Sequence, residues 1–139
     1  MPDVNILIFA HREESADHAR YADWLTSMAT GIEPFALSER VLQTFIQIVT
    51  NPKIYQPPST LAQAFAFIDS LIDRPQCVLL RPLGRHWSIY RKLCESAGVH
   101  SKLTADAAHA ALAIETGCEW ISADTDFARF SPPLRWKHL

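Results

Sequence analysis

The chain has 139 residues, close to the size of one ordinary domain, and its 48% hydrophobic content excludes disorder as the main state. Its longest apolar runs, such as those at 6–10 and 110–114, are far shorter than the roughly 20 residues that a membrane-spanning helix needs. The net charge of −2 conceals an acidic stretch, with seven acids against two bases over 1–39, and a basic stretch, with six bases against one acid over 74–102. A polyanionic partner is therefore compatible with the acidic overall balance.

The start of the chain and its cysteines both favour the cytoplasm as the compartment of this protein. Asp3 and Asn5 lie directly behind Met1 and Pro2, so no basic segment leads into the long apolar stretch that a secretory signal requires. The three cysteines are far apart and lack paired spacing, which favours free thiols over disulfides or a zinc cluster. We expect a cytoplasmic protein without a membrane segment.

Apolar periodicity predicts helices that alternate with short strands. Helical spacing covers 17–30, 38–49, 60–72, 85–97 and 106–115, and strand-like segments lie at 34–37, 77–80, 119–122 and 134–137. This order predicts an α/β fold with a largely parallel sheet, in one domain over 1–139. Ligands of such sheets bind at the carboxyl ends of the strands.

Five carboxylates each follow a predicted strand or open a predicted helix: Asp3, Glu39, Asp106, Asp124 and Asp126. For any one of them taken alone, capping or dipole stabilisation of a helix is the commoner role. As a converging set they would repel one another unless a cation lay among them, and oxygen-only ligands suit Mg²⁺ or Mn²⁺. The long intervals between them carry no local geometry, so capping and metal binding both stay open at this point.

Four motifs in order along the chain carry a family resemblance. They are DVNILI at 3–8; SE at 38–39 with VTNP at 49–52; DA at 106–107 with AIETG at 113–117; and SADTDF at 122–127. Each motif is weak alone, but the ordered set is specific and spans essentially the whole chain. The sequence resembles the PIN-domain ribonuclease toxins of the VapC family.

The resemblance implies a PIN-like three-layer fold, in which a short, largely parallel central sheet is flanked by helices. It also implies that Asp3, Glu39, Asp106 and Asp124 are catalytic, and that Asp3, Asp106, Asp124 and Asp126 bind Mg²⁺ or Mn²⁺. The implied activity is metal-dependent hydrolysis of RNA by an activated water, with transfer RNA or a ribosomal RNA loop as the substrate. Such chemistry suits carboxylates that hold a divalent ion.

Polar and basic residues near these acids have predicted supporting roles. Asn5 and Ser122 are expected to hydrogen-bond the carboxylates, although capping explains them equally well. Arg81, Arg85 and Arg129 are predicted to contact RNA phosphates, while Arg129 is also placed to pair with Asp126. His109 follows Asp106 by three residues on one helix, where packing is a commoner role than metal ligation.

The resemblance also implies partners, namely a VapB-like antitoxin that covers the acidic site and a second copy of the chain in a homodimer. Two other functions stay open. The strand followed by Asp124 and Asp126 is similar to the nucleophile motif of haloacid-dehalogenase-type phosphatases, although that motif normally stands near the N-terminus. A non-catalytic protein-binding module is the other alternative, but such a module has no need to keep every acid.

Overall fold

A computed structural model describes all residues from Met1 to Leu139, which form two compact units. The first unit comprises Pro2–Leu80, and the second comprises Met1 with Arg81–Leu139. The first contains α1 (Val4–His11), α2 (His18–Thr30), β1 (Phe35–Ser38), α3 (Glu39–Val49), α4 (Leu61–Ile72) and β2 (Cys77–Leu80). The second contains α5 (His86–Ser96), α6 (Leu103–Thr116), β3 (Trp120–Ser122), a 3₁₀ helix (Thr125–Phe130) and β4 (Trp136–His138).

In the first unit, β1 and β2 pair in parallel, from Phe35 beside Cys77 to Ser38 beside Leu80. Every residue of β1 is buried, as expected of a strand in a parallel pair that helices cover. The chain passes directly from Ser38 into α3, whose apolar face is buried in the same unit. This direct passage places Glu39 at the carboxyl end of β1.

In the second unit, β3 and β4 pair in parallel, from Trp120 beside Trp136 to Ser122 beside His138. The carbonyl of Met1 accepts a hydrogen bond from the Ile121 amide at 3.0 Å, so this residue adds one backbone link to the side of β3. Helix α6 is rich in alanine and packs against α5. Its small side chains allow the two helices to approach each other closely. Asp124 and Asp126 follow β3 at its carboxyl end.

Every predicted element is present, and two observed elements, α1 and the 3₁₀ helix, were not predicted. All five predicted helices and four predicted strands are present, with ends that differ from the prediction by at most three residues. Helix α1 was not predicted, because the unbroken apolar run at 6–10 shows no helical stripe; Ile6, Leu7, Ile8 and Ala10 are all buried. All three cysteines are free. None of the helices combines the length and the apolar character needed to cross a membrane.

Candidate active site

Three of the predicted acids influence one another electrostatically in the second unit. Asp106 lies half-buried in the first turn of α6, and this burial raises the pKa of its carboxyl above the ordinary value. The negative charges of Asp124 and Asp126 raise the same pKa further, while Lys102 and Arg129 offset part of the rise. The fold therefore concentrates negative charge at the amino end of α6 and the carboxyl end of β3.

The turn after β3 fixes the backbone around Asp124. Ser122 is completely buried, and its Oγ accepts a hydrogen bond from the Asp124 amide at 2.9 Å. The Oδ1 atom of Asp124 in turn accepts from the Asp126 amide at 2.8 Å and caps the 3₁₀ helix. Sequence reasoning offered capping and a role in the site as alternatives for Ser122. The structure shows that its hydroxyl holds the backbone amide of one of the predicted acids, and its predicted hydrogen bond to a carboxylate stays a prediction.

Arg129 lies on the same short helix as Asp126 and pairs with it. Its guanidinium donates to Oδ1 of Asp126 at 3.0 Å and to the backbone carbonyl of Asp126 at 3.0 Å. Both side chains are partly exposed, so this ion pair adds little stability. It does reduce the local negative charge, and the predicted contact of Arg129 with RNA stays a prediction.

Asp3 belongs to the first unit, where it caps α1. Its side chain is buried, with the residue only 5% exposed, and Oδ1 accepts from the Val4 amide at 2.6 Å. Oδ2 accepts from the side-chain amide of Asn5 at 3.1 Å. The hydrogen bond that sequence reasoning expected between Asn5 and a carboxylate is therefore present, and it orients an acid whose burial costs energy without such partners.

Glu39 is the first residue of α3 and half-buried. A carboxylate at a helix amino terminus is stabilised by the helix dipole, and Ser38 before it makes no side-chain cap bond. Stabilising the start of α3 and taking part in the candidate site are therefore compatible roles for Glu39.

His109 has a packing role in α6. The residue is buried, and its ring stacks on Trp120 with centroids 5.3 Å apart and planes 17° apart. Trp120 itself is fully buried on β3. This contact supports the packing interpretation that the sequence favoured over metal ligation.

Glu115 is a functional candidate that sequence reasoning missed. Its side chain is only 2% exposed, and its two carboxylate oxygens accept from the backbone amides of Leu83 at 2.9 Å and Arg85 at 2.7 Å. Glu115 thereby fixes the loop that carries two of the predicted RNA-binding residues, Arg81 and Arg85. The signal in the sequence was an acid four residues after the buried Ala111, on the apolar side of a helix.

The chemistry of these residues fits a hard divalent cation. The candidate ligands are all carboxylates, and the mutual repulsion that raises the pKa of Asp106 is the interaction that a cation would relieve. In the present arrangement no group of three or more histidine, cysteine, aspartate or glutamate side chains is positioned to hold one ion. The predicted ligand set therefore stays a prediction, supported by its chemistry.

Comparison with known proteins defines the class. The PIN domain family model matches residues 1–131. A crystal structure of VapBC2 from Rickettsia felis, bound to a DNA fragment from its promoter, is similar in fold, with a TM-score of 0.71 at 18% identity over 99% of this chain and 96% of that one. The chain is therefore a PIN-domain protein with the α/β fold expected from its sequence.

Curated relatives identify the branch within this class. Ribonuclease VapC43 of Mycobacterium tuberculosis is 40% identical over 136 residues, which cover 98% of this chain and 92% of the relative. Ribonuclease VapC31 of the same species is 35% identical over 138 residues, covering 95% and 97% respectively. The chain belongs to the VapC ribonuclease family, as its ordered motifs indicated. The family match takes in residues of both units, and a single nuclease domain over 1–139 stays a prediction.

Proposed function

We propose that the chain is the endoribonuclease toxin of a toxin–antitoxin pair and hydrolyses RNA phosphodiesters with Mg²⁺ or Mn²⁺. The observation that carries this proposal is the electrostatic cluster of Asp106, Asp124 and Asp126 in a chain that belongs to the VapC ribonucleases. Transfer RNA or a ribosomal RNA loop is the proposed substrate, as the resemblance to the VapC family implies; an unpaired loop exposes its backbone and bases to a protein.

The proposed roles of the acids follow the family. Asp3, Glu39, Asp106 and Asp124 are the catalytic carboxylates, and Asp126 joins Asp3, Asp106 and Asp124 in binding the metal. When bound, the divalent ion supplies positive charge that acidifies water and polarises the scissile phosphate. The carboxylates position this charge and orient the attacking water.

Neighbouring residues keep these acids in place. Asn5 restricts the Asp3 carboxylate through its side-chain amide, and Ser122 restricts the backbone at Asp124. Water attacks phosphorus and the 3′ oxygen leaves, so the products carry a 5′ phosphate and a 3′ hydroxyl. The proton of the attacking water passes to a carboxylate, and the departing 3′ oxygen takes up a proton from the solvent to become the hydroxyl.

The proposed partners also follow the family. A VapB-like antitoxin would place a basic side chain among the acids and neutralise them, which gives inhibition an electrostatic basis. We further propose that the chain forms a homodimer and acts in the cytoplasm, where its RNA substrates lie and where three free thiols persist.

The test is cleavage of total RNA by the purified chain with Mg²⁺, with Mn²⁺ and with EDTA, followed by mapping of the product ends. Asp106→Asn is the informative variant because it keeps the side-chain shape and removes one charge. Asp23→Asn is the matched control, since Asp23 is an exposed acid on α2. We expect discrete cuts with 5′ phosphates that need the metal, persist in the control and disappear in Asp106→Asn.

Two outcomes would contradict the proposal. Folded wild-type protein that cleaves no RNA with either metal would favour a binding module instead. Phosphate release from small phosphate esters, without RNA cleavage and dependent on Asp124, would favour the phosphatase alternative. Calorimetric titration with Mn²⁺ separates binding from catalysis, because Asp106→Asn should weaken metal binding even where no RNA is present.

A further inference from the structure

An exposed aromatic and basic surface lies at the start of α5 in the second unit. We define the α5 platform as Arg81, Leu83, Arg85, Trp87 and Tyr90. Trp87 is 71% exposed and Leu83 is 61% exposed, which are high values for large apolar side chains. Trp87 is in ring contact with Tyr90, and exposed apolar groups that adjoin one another mark interaction sites.

The Trp87 ring is held in position and remains accessible. Its centroid lies 5.4 Å from that of Tyr90, one helical turn further along α5, with the ring planes 37° apart. Tyr90 is half-buried and therefore anchors the exposed indole. A supported ring with most of its surface open is suited to stacking against another flat group.

The loop that leads into the platform is also fixed. Glu115 accepts hydrogen bonds from the Leu83 and Arg85 amides, and the Arg85 guanidinium donates to the Glu115 backbone carbonyl at 3.2 Å. Charge-assisted bonds to a buried carboxylate are stronger than ordinary ones. The basic side chains of the platform therefore emerge from a preorganised loop, which reduces the entropy lost on binding.

The charge around the platform favours an anionic partner. Four bases lie between 81 and 92, with no acid among them. Glu95 pairs with Arg91 at 2.8 Å on the surface of α5, and Glu115 contacts the loop before α5 as a buried carboxylate, so the bases of this stretch outnumber the acids beside them. Positive charge beside an exposed aromatic ring matches nucleic acid, which offers phosphates and flat bases together.

We propose that an unpaired RNA base stacks on Trp87 while Arg81 and Arg85 contact the flanking phosphates. The proposal rests on the proposed function, since it assigns a substrate-binding surface to the same enzyme. Glu115 anchors the platform nine residues after Asp106 on α6, a separation of about 14 Å along the helix axis. The platform thus binds a nucleotide away from the cleaved bond and selects RNA in which that nucleotide is unstacked.

The experiment measures binding of a short single-stranded RNA of mixed sequence to the full chain carrying Asp106→Asn, in EDTA, so that the RNA stays intact. An oligonucleotide of the same length without bases retains every phosphate and serves as the ligand control. Trp87→Ala and Trp87→Phe are compared with Leu61→Ala, which removes another exposed apolar side chain, on α4. All variants are checked for folding by circular dichroism.

We expect Trp87→Ala to weaken binding roughly 5- to 150-fold, the range measured for loss of one base stacked on an aromatic ring. Trp87→Phe should retain most of the affinity, and Leu61→Ala should bind like the parent. The difference between parent and Trp87→Ala should vanish with the oligonucleotide that lacks bases. Quenching of tryptophan fluorescence by RNA should be lost in Trp87→Phe.

Other results would overturn the proposal. Equal RNA binding by parent and Trp87→Ala would exclude base stacking on the platform. Loss of dimer in light scattering, with RNA binding unchanged in Trp87→Ala, would assign the surface to a second copy of the chain. Loss of antitoxin binding alone would assign it to the antitoxin.

This test separates the platform from the proposed function. RNA cleavage by the wild-type chain, combined with binding that ignores Trp87, would leave the function standing and refute the platform. Stacking on Trp87 in a chain that cleaves no RNA with any metal would refute the ribonuclease and retain the RNA-binding surface.

Discussion

Replacing Glu115 with glutamine tests whether a single buried carboxylate organises the loop before α5. The substitution changes little in shape but converts one acceptor oxygen into an amide donor. One of the two backbone amides that Glu115 now satisfies, those of Leu83 and Arg85, would then face a donor. Because the Glu115 side chain is almost fully buried, few water molecules can reach it to replace the lost bond.

The expected cost follows from these two bonds. Hydrogen bonds to a charged group contribute about 1.5–3 kcal/mol each, and a buried unsatisfied N–H costs about 1–3 kcal/mol. Glu115→Gln loses one bond and weakens the other, so we expect a loss of about 2–4 kcal/mol in the free energy of unfolding. Such a loss corresponds to a fall of about 10 °C in Tm for a chain of this size.

Two measurements check this expectation. Urea unfolding gives the loss in free energy, and amide hydrogen exchange reports the opening of the Leu83 and Arg85 amides directly. Glu95→Gln is the control, because Glu95 is an exposed acid that pairs only with Arg91 on the surface of α5. We expect the control to change stability by less than about 0.5 kcal/mol.

Unchanged behaviour of the variant would contradict this role of Glu115. If Glu115→Gln unfolded at the urea concentration of the wild type and exchanged both amides no faster, the carboxylate charge would be irrelevant to the loop. A loss of stability with unchanged exchange at both amides would place the effect elsewhere in the second unit.

Three further predictions concern stability. Burial, and then the charge of Arg12, lowers the pKa of His11 in the folded chain. The unfolded chain therefore binds more protons as the pH falls below about 6.5, and the free energy of unfolding should decrease by at most about 1.4 kcal/mol per pH unit. In urea unfolding at a series of pH values, His11→Phe should show a smaller decrease. Asp106→Asn in EDTA should raise the Tm at pH 7, because the raised pKa of Asp106 means that its ionised carboxyl destabilises the folded chain. The gain should be less than about 1 kcal/mol after solvent screening. An unchanged or lower Tm would contradict this prediction. Gly117 ends α6 with φ +70, so Gly117→Ala should cost about 1 kcal/mol in thermal unfolding, whereas Gly84→Ala, at a position without positive φ, should not.

Local patterns accounted for most of the secondary structure. The stripe of buried apolar residues on α3 repeats at helical spacing, so its position follows from the sequence within one residue. Helix α6 begins at Leu103, so Asp106, which was predicted to open the helix, lies inside its first turn. Helix α1 escaped prediction since a run that is apolar on every side carries no periodic signal.

In the candidate site too, some features were predictable from the sequence and others arise only in the folded chain. Residue type and motif order identified Asp106, Asp124 and Asp126, and also named Asn5 as a neighbour of Asp3. They carried no information on which acid is desolvated or which charges act on it. Those properties depend on burial and on the approach of β3 to α6, and they emerge only when the chain is folded.

Sequence alone was sufficient for the α/β class, the family and the choice of candidate acids, because residue spacing within one helix or strand and the order of short motifs are local properties. Tertiary structure decided the pairing of β1 with β2, the raised pKa of Asp106 and the role of Glu115. Each of these joins residues that are distant along the chain. Their energies depend on distance and burial in space, which the spacing of residues along the sequence does not encode.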